Sequence, residues 1–187
     1  GISIIILSNF CFLSYGVSDY LFLYVSSLLV ATLILFIFNF PFGKIFSGDG
    51  GCYFLGFTIG SISILFSNEK IIPSLHVACI VYYPILEIFV TFWRRIFINK
   101  RNPFYPDDLH LHTLLYKRIN SYHYLNKLSQ PVKNSFTSSL ILLFIAISIS
   151  LIGFVDIYIN LFLLFFIYSF IYLFVYGYAY IFWSKLD

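Results

Sequence analysis

Methionine is absent from the 187 residues, and charged side chains make up only 10% of them. A soluble domain carries roughly 25% charged residues. A chain this poor in charge and 60% hydrophobic cannot hide its apolar surface in one core, so lipid is its expected solvent. There is no basic n-region ahead of the first apolar run, which argues against a signal peptide. Without an initiator residue, the chain is expected to have been cut on its N-terminal side. Cysteine is scarce: Cys11, Cys52 and Cys79 form no metal-ligand spacing and read as buried small hydrophobes. No repeat of 20 to 50 residues and no low-complexity linker occurs, which excludes solenoids and tethered domains. A nucleic-acid partner is not expected from a net charge of +3.

What is abundant is apolar and aromatic. Aromatic residues reach 22%, in keeping with Tyr and Trp at membrane interfaces. The apolar runs predict an all-α polytopic bundle of about six spanning helices, at 2–15, 20–40, 51–67, 72–93, 138–154 and 157–183. They form a single membrane domain over 1–187. Gly56 and Gly60, at GxxxG spacing, read as a close helix-packing face. Ten lysines and arginines fall on one side of this topology and only Lys70 on the other. The positive-inside rule makes the basic side cytoplasmic, with both termini on it. The main cytoplasmic loop is 94–137.

Two polar stretches break the apolar pattern. The turn FNFPFGKIFSGDGGC (38–52) sets Lys44 and Asp49 among glycines between two spans. A carboxylate beside hydrocarbon usually has a task, and glycines let a phosphate or metal approach the backbone. Asp49 is thus a candidate magnesium ligand, with a local turn residue as the alternative. Lys44 is a phosphate contact or a snorkelling anchor. The second stretch is PFYPDDLHLHTLLYKR (103–118). Pro103 and Pro106 end a helix, Asp107 or Asp108 can cap the next, and Leu109, Leu111, Leu114 and Leu115 outline a short amphipathic helix. His110 and His112 would point about 200° apart on a helix but share a face if extended. Hydrogen bonding to a phosphate or sugar suits them better than zinc.

Arg94 and Arg95 follow Trp93 at a membrane exit, as an interfacial anchor or a diphosphate clamp. Glu87, two turns inside the fourth span, is expected to pair or to face a polar cavity, with Arg94 or Lys44 as candidate partners. His76 reads as structural, and His123 carries no signal.

Three segments resemble the polyprenyl-phosphate N-acetylhexosamine-1-phosphate transferases. NFPFGKIFSGDGGCYFLGF (39–57) is similar to N-x-P-x-x-K-[IV]-F-M-G-D-[SAT]-G-S-x-x-L-G-F. PILEIFVTFWRR (84–95) resembles the helix ending in paired arginines, and NPFYPDDLHLHTLL (102–115) the PF-x-PD-x-x-H-[IL]-HH loop. The resemblance implies that Asp49 holds Mg2+ (or Mn2+) beside a donor diphosphate and that Phe46 lies near a uracil ring. It further implies that Lys44 faces phosphate or nucleotide, and that His110 and His112 bind donor phosphate or sugar with Arg94 and Arg95 nearby. Asn39 and Asp107 are carried over as substrate-binding positions.

The implied reaction moves a sugar-1-phosphate from a UDP-N-acetylhexosamine to undecaprenyl (polyprenyl) phosphate and releases UMP. It would take place at the cytoplasmic face of a bacterial inner membrane, where membrane lipid surrounds the protein and a homodimer is allowed. Thr113, Asp108, Ser47 and Gly50 depart from the family pattern. The family's upstream Asp-Asp pair and N-x-x-N-x-x-D segment are not in the chain, which is expected to be the C-terminal half of such an enzyme and inactive alone. The rival readings are an inactive remnant and a transporter or channel using Glu87 and His76.

Overall fold

A computed structural model describes residues 1–41, 43–100, 102, 108–121, 129–152 and 159–183, with backbone alone for 151, 152, 159, 160 and 183. The described residues form helices and connecting turns, with no strand among them. They are α1 (Ile2–Ser14), α2 (Asp19–Asn39), α3 (Gly48–Asn68), α4 (Ser74–Ile80), α5 (Tyr82–Trp93), α6 (Leu111–Asn120), α7 (Gln130–Ile152) and α8 (Ile159–Trp183). α5 runs on through a π-helical turn, Arg94–Ile98.

Among the described residues, four helices are long and apolar enough to cross a membrane, or five if the bent pair α4–α5 counts as one. With their large exposed apolar side chains, they make this a multi-pass membrane protein. α1 is short, at 13 residues. One of the six expected spans is corrected. The fourth span is broken, with α4 and α5 meeting at 71°. Pro84 supplies the cause: it has no N–H for the Ile80 carbonyl, and its ring crowds that carbonyl. At the third position of α5, in its first turn, the proline itself is tolerated.

The core runs through the middle of the bundle. Ile6, Leu7 and Phe10 of α1 pack with Leu21 and Val25 of α2 and with Ile62 and Phe66 of α3. The Phe10 and Phe66 rings lie 4.8 Å apart. α7 contributes Ile141, Ile145 and Ile149, and α8 contributes Tyr168, Tyr172 and Tyr176. α6 rests in the angle between α7 and α8. It buries Leu111 and Leu114, two of the leucines that predicted an amphipathic helix.

Two smaller expectations are also corrected. A Cβ at Gly56 or Gly60 would meet nothing within 4 Å, so the GxxxG face has no helix against it among the described residues. Both glycines instead line an apolar groove of about 620 Å³ between α1, α2, α3 and α5. Cys52 is exposed rather than buried, with its Sγ 3.4 Å from Ser47 Oγ.

Candidate functional site

α2 ends at Asn39, whose amide donates to the Ile45 carbonyl at 2.6 Å. Gly48 starts α3 with φ +62°, a conformation that favours glycine. Asp49 then falls in the first turn of α3, where the helix dipole favours an acid. Lys44, Phe46 and Asp49 are all exposed, with Phe46 at 76%.

A cleft of about 440 Å³ opens beside this turn. Asn39, Pro41 and Phe46 form one wall, and Tyr116, Gln130 and Asn134 form the other. Tyr116 donates to Gln130, and Ser135 donates to the Pro41 carbonyl at 2.7 Å, which ties α6 and α7 to the turn. Asn39 and Phe46, singled out from sequence, therefore share one cleft. Tyr116, Gln130 and Asn134 were missed, because polar residues at a helix junction carry no motif.

The second cluster centres on Glu87. Its Oε1 lies 3.1 Å from His110 Nδ1 and accepts the Leu111 N–H at 3.0 Å. Its Oε2 accepts the Tyr172 hydroxyl at 2.6 Å. Three donors compensate a carboxylate that is only 15% exposed. The expected partners, Arg94 and Lys44, are not in that shell; His110, Tyr172 and the α6 backbone take their place.

The Leu111 contact also corrects the capping assignment. α6 begins after His110, and the acid that caps it is Glu87 from another helix. Asp107 lies outside the described residues, and Asp108 pairs with Lys117.

His110 is extended at φ −74° and ψ 156°, and its ring lies parallel to that of His112, 6.0 Å away. The extended alternative thus describes this pair better than the helical one. His112 is exposed at its edge. Partial loss of hydration around the ring, and then repulsion from His110, hold its pKa below the ordinary imidazole value.

Arg94 is 1% exposed, and its Nε donates to Tyr176 Oη at 2.7 Å. The Tyr176 hydroxyl in turn donates to the Leu109 carbonyl at 2.9 Å. Tyr180 reaches Asn99 Oδ1 at 3.3 Å. Arg94 therefore braces the loop against α8 instead of standing open as a clamp, while Arg95 is half-buried. The tyrosines at 172, 176 and 180 were missed; their four-residue spacing marks one helix face, yet it names no partner.

Among the described residues, Asp49 makes no hydrogen bond or ion pair to either histidine. No group of three His, Cys, Asp or Glu among them could hold a metal ion. These side chains do not form a metal cage by themselves.

The chain matches glycosyl transferase family 4 over residues 1–67. That segment includes the turn with Asn39, Lys44, Phe46 and Asp49. Ninety-six residues are 36% identical to the undecaprenyl-phosphate alpha-N-acetylglucosaminyl 1-phosphate transferase of Pasteurella multocida (strain Pm70), covering 48% of this chain and 27% of that protein. The similarly named protein of Thermotoga maritima is 30% identical over 84 residues, covering 45% of this chain and 28% of its own length. The probable undecaprenyl-phosphate N-acetylglucosaminyl 1-phosphate transferase of Bacillus subtilis (strain 168) is 32% identical over 115 residues, 60% of this chain and 32% of that one. The chain thus spans about a quarter to a third of the curated relatives it matches. No solved structure matches. The resemblance drawn from the three motifs is borne out.

Proposed function

We propose that this chain is part of a phosphoglycosyltransferase that moves a sugar-1-phosphate, in the form of N-acetylhexosamine-1-phosphate, from a UDP-sugar to undecaprenyl phosphate. The observation that carries this reading is the cleft that Asn39 and Phe46 of the family-matched segment share with Tyr116, Gln130 and Asn134. A planar base suits a cleft with the Phe46 ring on one wall and the amides of Gln130 and Asn134 on the other. Lys44, on the same turn, would meet the donor's phosphates as a point charge.

In the reaction, an oxygen of the lipid phosphate attacks the donor's β-phosphorus. The bond between that phosphorus and the oxygen bridging to the α-phosphate breaks, and UMP leaves with the electron pair. The products are UMP and a lipid-linked diphosphosugar. Charge moves from the lipid phosphate to UMP, so fixed cations beside the diphosphate favour the transfer.

Magnesium belongs to this proposal in a limited sense. Asp49 would give one carboxylate to an ion otherwise held by donor phosphates, as magnesium prefers. The bacterial inner membrane and its cytoplasmic face are part of the same reading, from the excess of lysine and arginine on one side of the spans.

The test is UMP release in membranes from cells expressing the chain at its native locus with its adjoining in-frame sequence. Release should require both UDP-N-acetylglucosamine and undecaprenyl phosphate and should fall in Asp49→Asn. Unchanged release in Asp49→Asn would remove that acid from the site. Substrate flux in proteoliposomes with no UMP formed would favour a transporter.

A further inference from the structure

We propose that Glu87 is a positioning residue for His110: it fixes the ring in the Nδ1–H tautomer and leaves the Nε2 lone pair to face the donor. The part concerning the donor rests on the function proposed above; the tautomer does not.

The argument starts from Glu87 Oε1. That oxygen accepts the backbone N–H of Leu111 at 3.0 Å, so it is an acceptor. His110 Nδ1 lies 3.1 Å from the same atom. Two acceptors cannot share a hydrogen bond, so Nδ1 must carry the proton. In a neutral imidazole the other nitrogen is then bare. The Tyr172 hydroxyl donates to Oε2 at 2.6 Å and holds the other oxygen of the carboxylate. Thr91 Oγ1 is farther from Nδ1, at 3.5 Å, and does not change the assignment.

The bracing is rigid for three reasons. Glu87 and Thr91 sit one turn apart on α5. His110 immediately precedes α6, whose first N–H holds the same carboxylate. Tyr172 comes from α8, where its ring packs edge-on against Tyr83 at 5.9 Å. Three helices therefore fix one ring, while His110 keeps 35% of its side chain exposed. A buried orienting acid behind a half-exposed imidazole is the arrangement that selects a tautomer. Pure scaffolding would not require the carboxylate to meet Nδ1.

The experiment is 15N NMR of the chain with 15N-labelled histidine in lipid, at mildly alkaline pH. His110→Gln assigns the signals among the four histidines. Wild type should show Nδ1 in the protonated range and Nε2 in the lone-pair range. Glu87→Gln should keep this pattern, because an amide oxygen can replace Oε1. Tyr172→Phe should keep it too, because Oε1 is untouched. Glu87→Leu should lose it in favour of the Nε2–H form that free histidine prefers.

A wild-type ring with bare Nδ1, or an unchanged ring in Glu87→Leu, would overturn the proposal. If Glu87→Leu fails to fold, the wild-type spectrum alone still decides. On adding UDP-N-acetylglucosamine, the His110 Nε2 signal should shift. In the UMP assay Glu87→Leu should lose about 10- to 100-fold in kcat/KM, with Glu87→Gln closer to wild type. Should the tautomer hold while the donor moves no His110 signal, the role facing the donor is overturned and the tautomer assignment stands.

Discussion

Glu87 caps a helix to which it does not belong: its Oε1 takes the Leu111 N–H at 3.0 Å and faces His110 Nδ1 at 3.1 Å, across 24 and 23 residues of sequence. The chain runs on from α5 through the π-helical turn Arg94–Ile98 and meets the same carboxylate again at Leu111. An acid at a helix N-terminus is stabilising by about 0.3–1 kcal/mol when exposed and up to about 2 kcal/mol when partly buried.

Removal of that acid should therefore cost stability. Glu87→Ala strands the Leu111 N–H and the Tyr172 hydroxyl, at about 1–3 kcal/mol for each donor left buried and unpaired. Tyr172→Phe removes one donor and leaves the others paired, so its cost should be near 1 kcal/mol. Thermal unfolding in detergent should rank wild type above Tyr172→Phe above Glu87→Ala. Equal melting of wild type and Glu87→Ala would contradict the capping role.

Arg94 and Tyr176 should behave as one unit. The buried guanidinium donates to Tyr176, which donates on to the Leu109 carbonyl. A double-mutant cycle with Arg94→Leu and Tyr176→Phe should give a coupling of about 0.5–3 kcal/mol. Arg94→Lys should not restore stability, because an ammonium lacks the planar fork. Additive single effects would argue that the two residues act separately.

Phe46 should separate binding from stability. Its ring is 76% exposed, so Phe46→Ala should change stability by less than about 0.5 kcal/mol. Loss of base stacking should still weaken donor binding by about 1–3 kcal/mol, read as a raised KM for UDP-N-acetylglucosamine in the UMP assay. A raised KM at unchanged melting temperature supports the cleft. An unchanged KM removes Phe46 from it.

The pH dependence follows from His112. Its pKa in the folded chain lies below the unfolded value, because partial dehydration and then His110 disfavour the cation. Between those two values the unfolded state binds more protons, so stability rises with pH through that window and levels off above the unfolded pKa of about 6.5. Acidification below that point should favour His112→Gln over wild type in thermal unfolding. The reverse order would contradict the sign.

The spanning helices could be read from sequence because a run of apolar residues needs no partner to declare itself. The turn at 38–52 could be read because lysine and aspartate among glycines are conspicuous beside hydrocarbon. The break between α4 and α5 was available in Pro84, whose missing N–H removes a helical bond, yet a continuous apolar run conceals it. Glu87 was legible as a buried acid that needs a partner. Which partner was not, because His110 and Tyr172 lie 23 and 85 residues away and only the packing of α5, α6 and α8 unites them. Arg94 misled for a related reason. Paired arginines at a membrane exit suggest a clamp, but the first turns inward because Tyr176 offers its hydroxyl from α8.

Phosphosugar transfer is tested most directly by tracing phosphorus. Membranes expressing the native-locus protein would receive undecaprenyl phosphate and UDP-N-acetylglucosamine labelled with 32P at either the α or the β position. Attack at the β-phosphorus predicts that β label passes into the organic-soluble lipid while α label leaves as UMP. Release of UDP carrying both labels, or retention of both in intact donor, would contradict it.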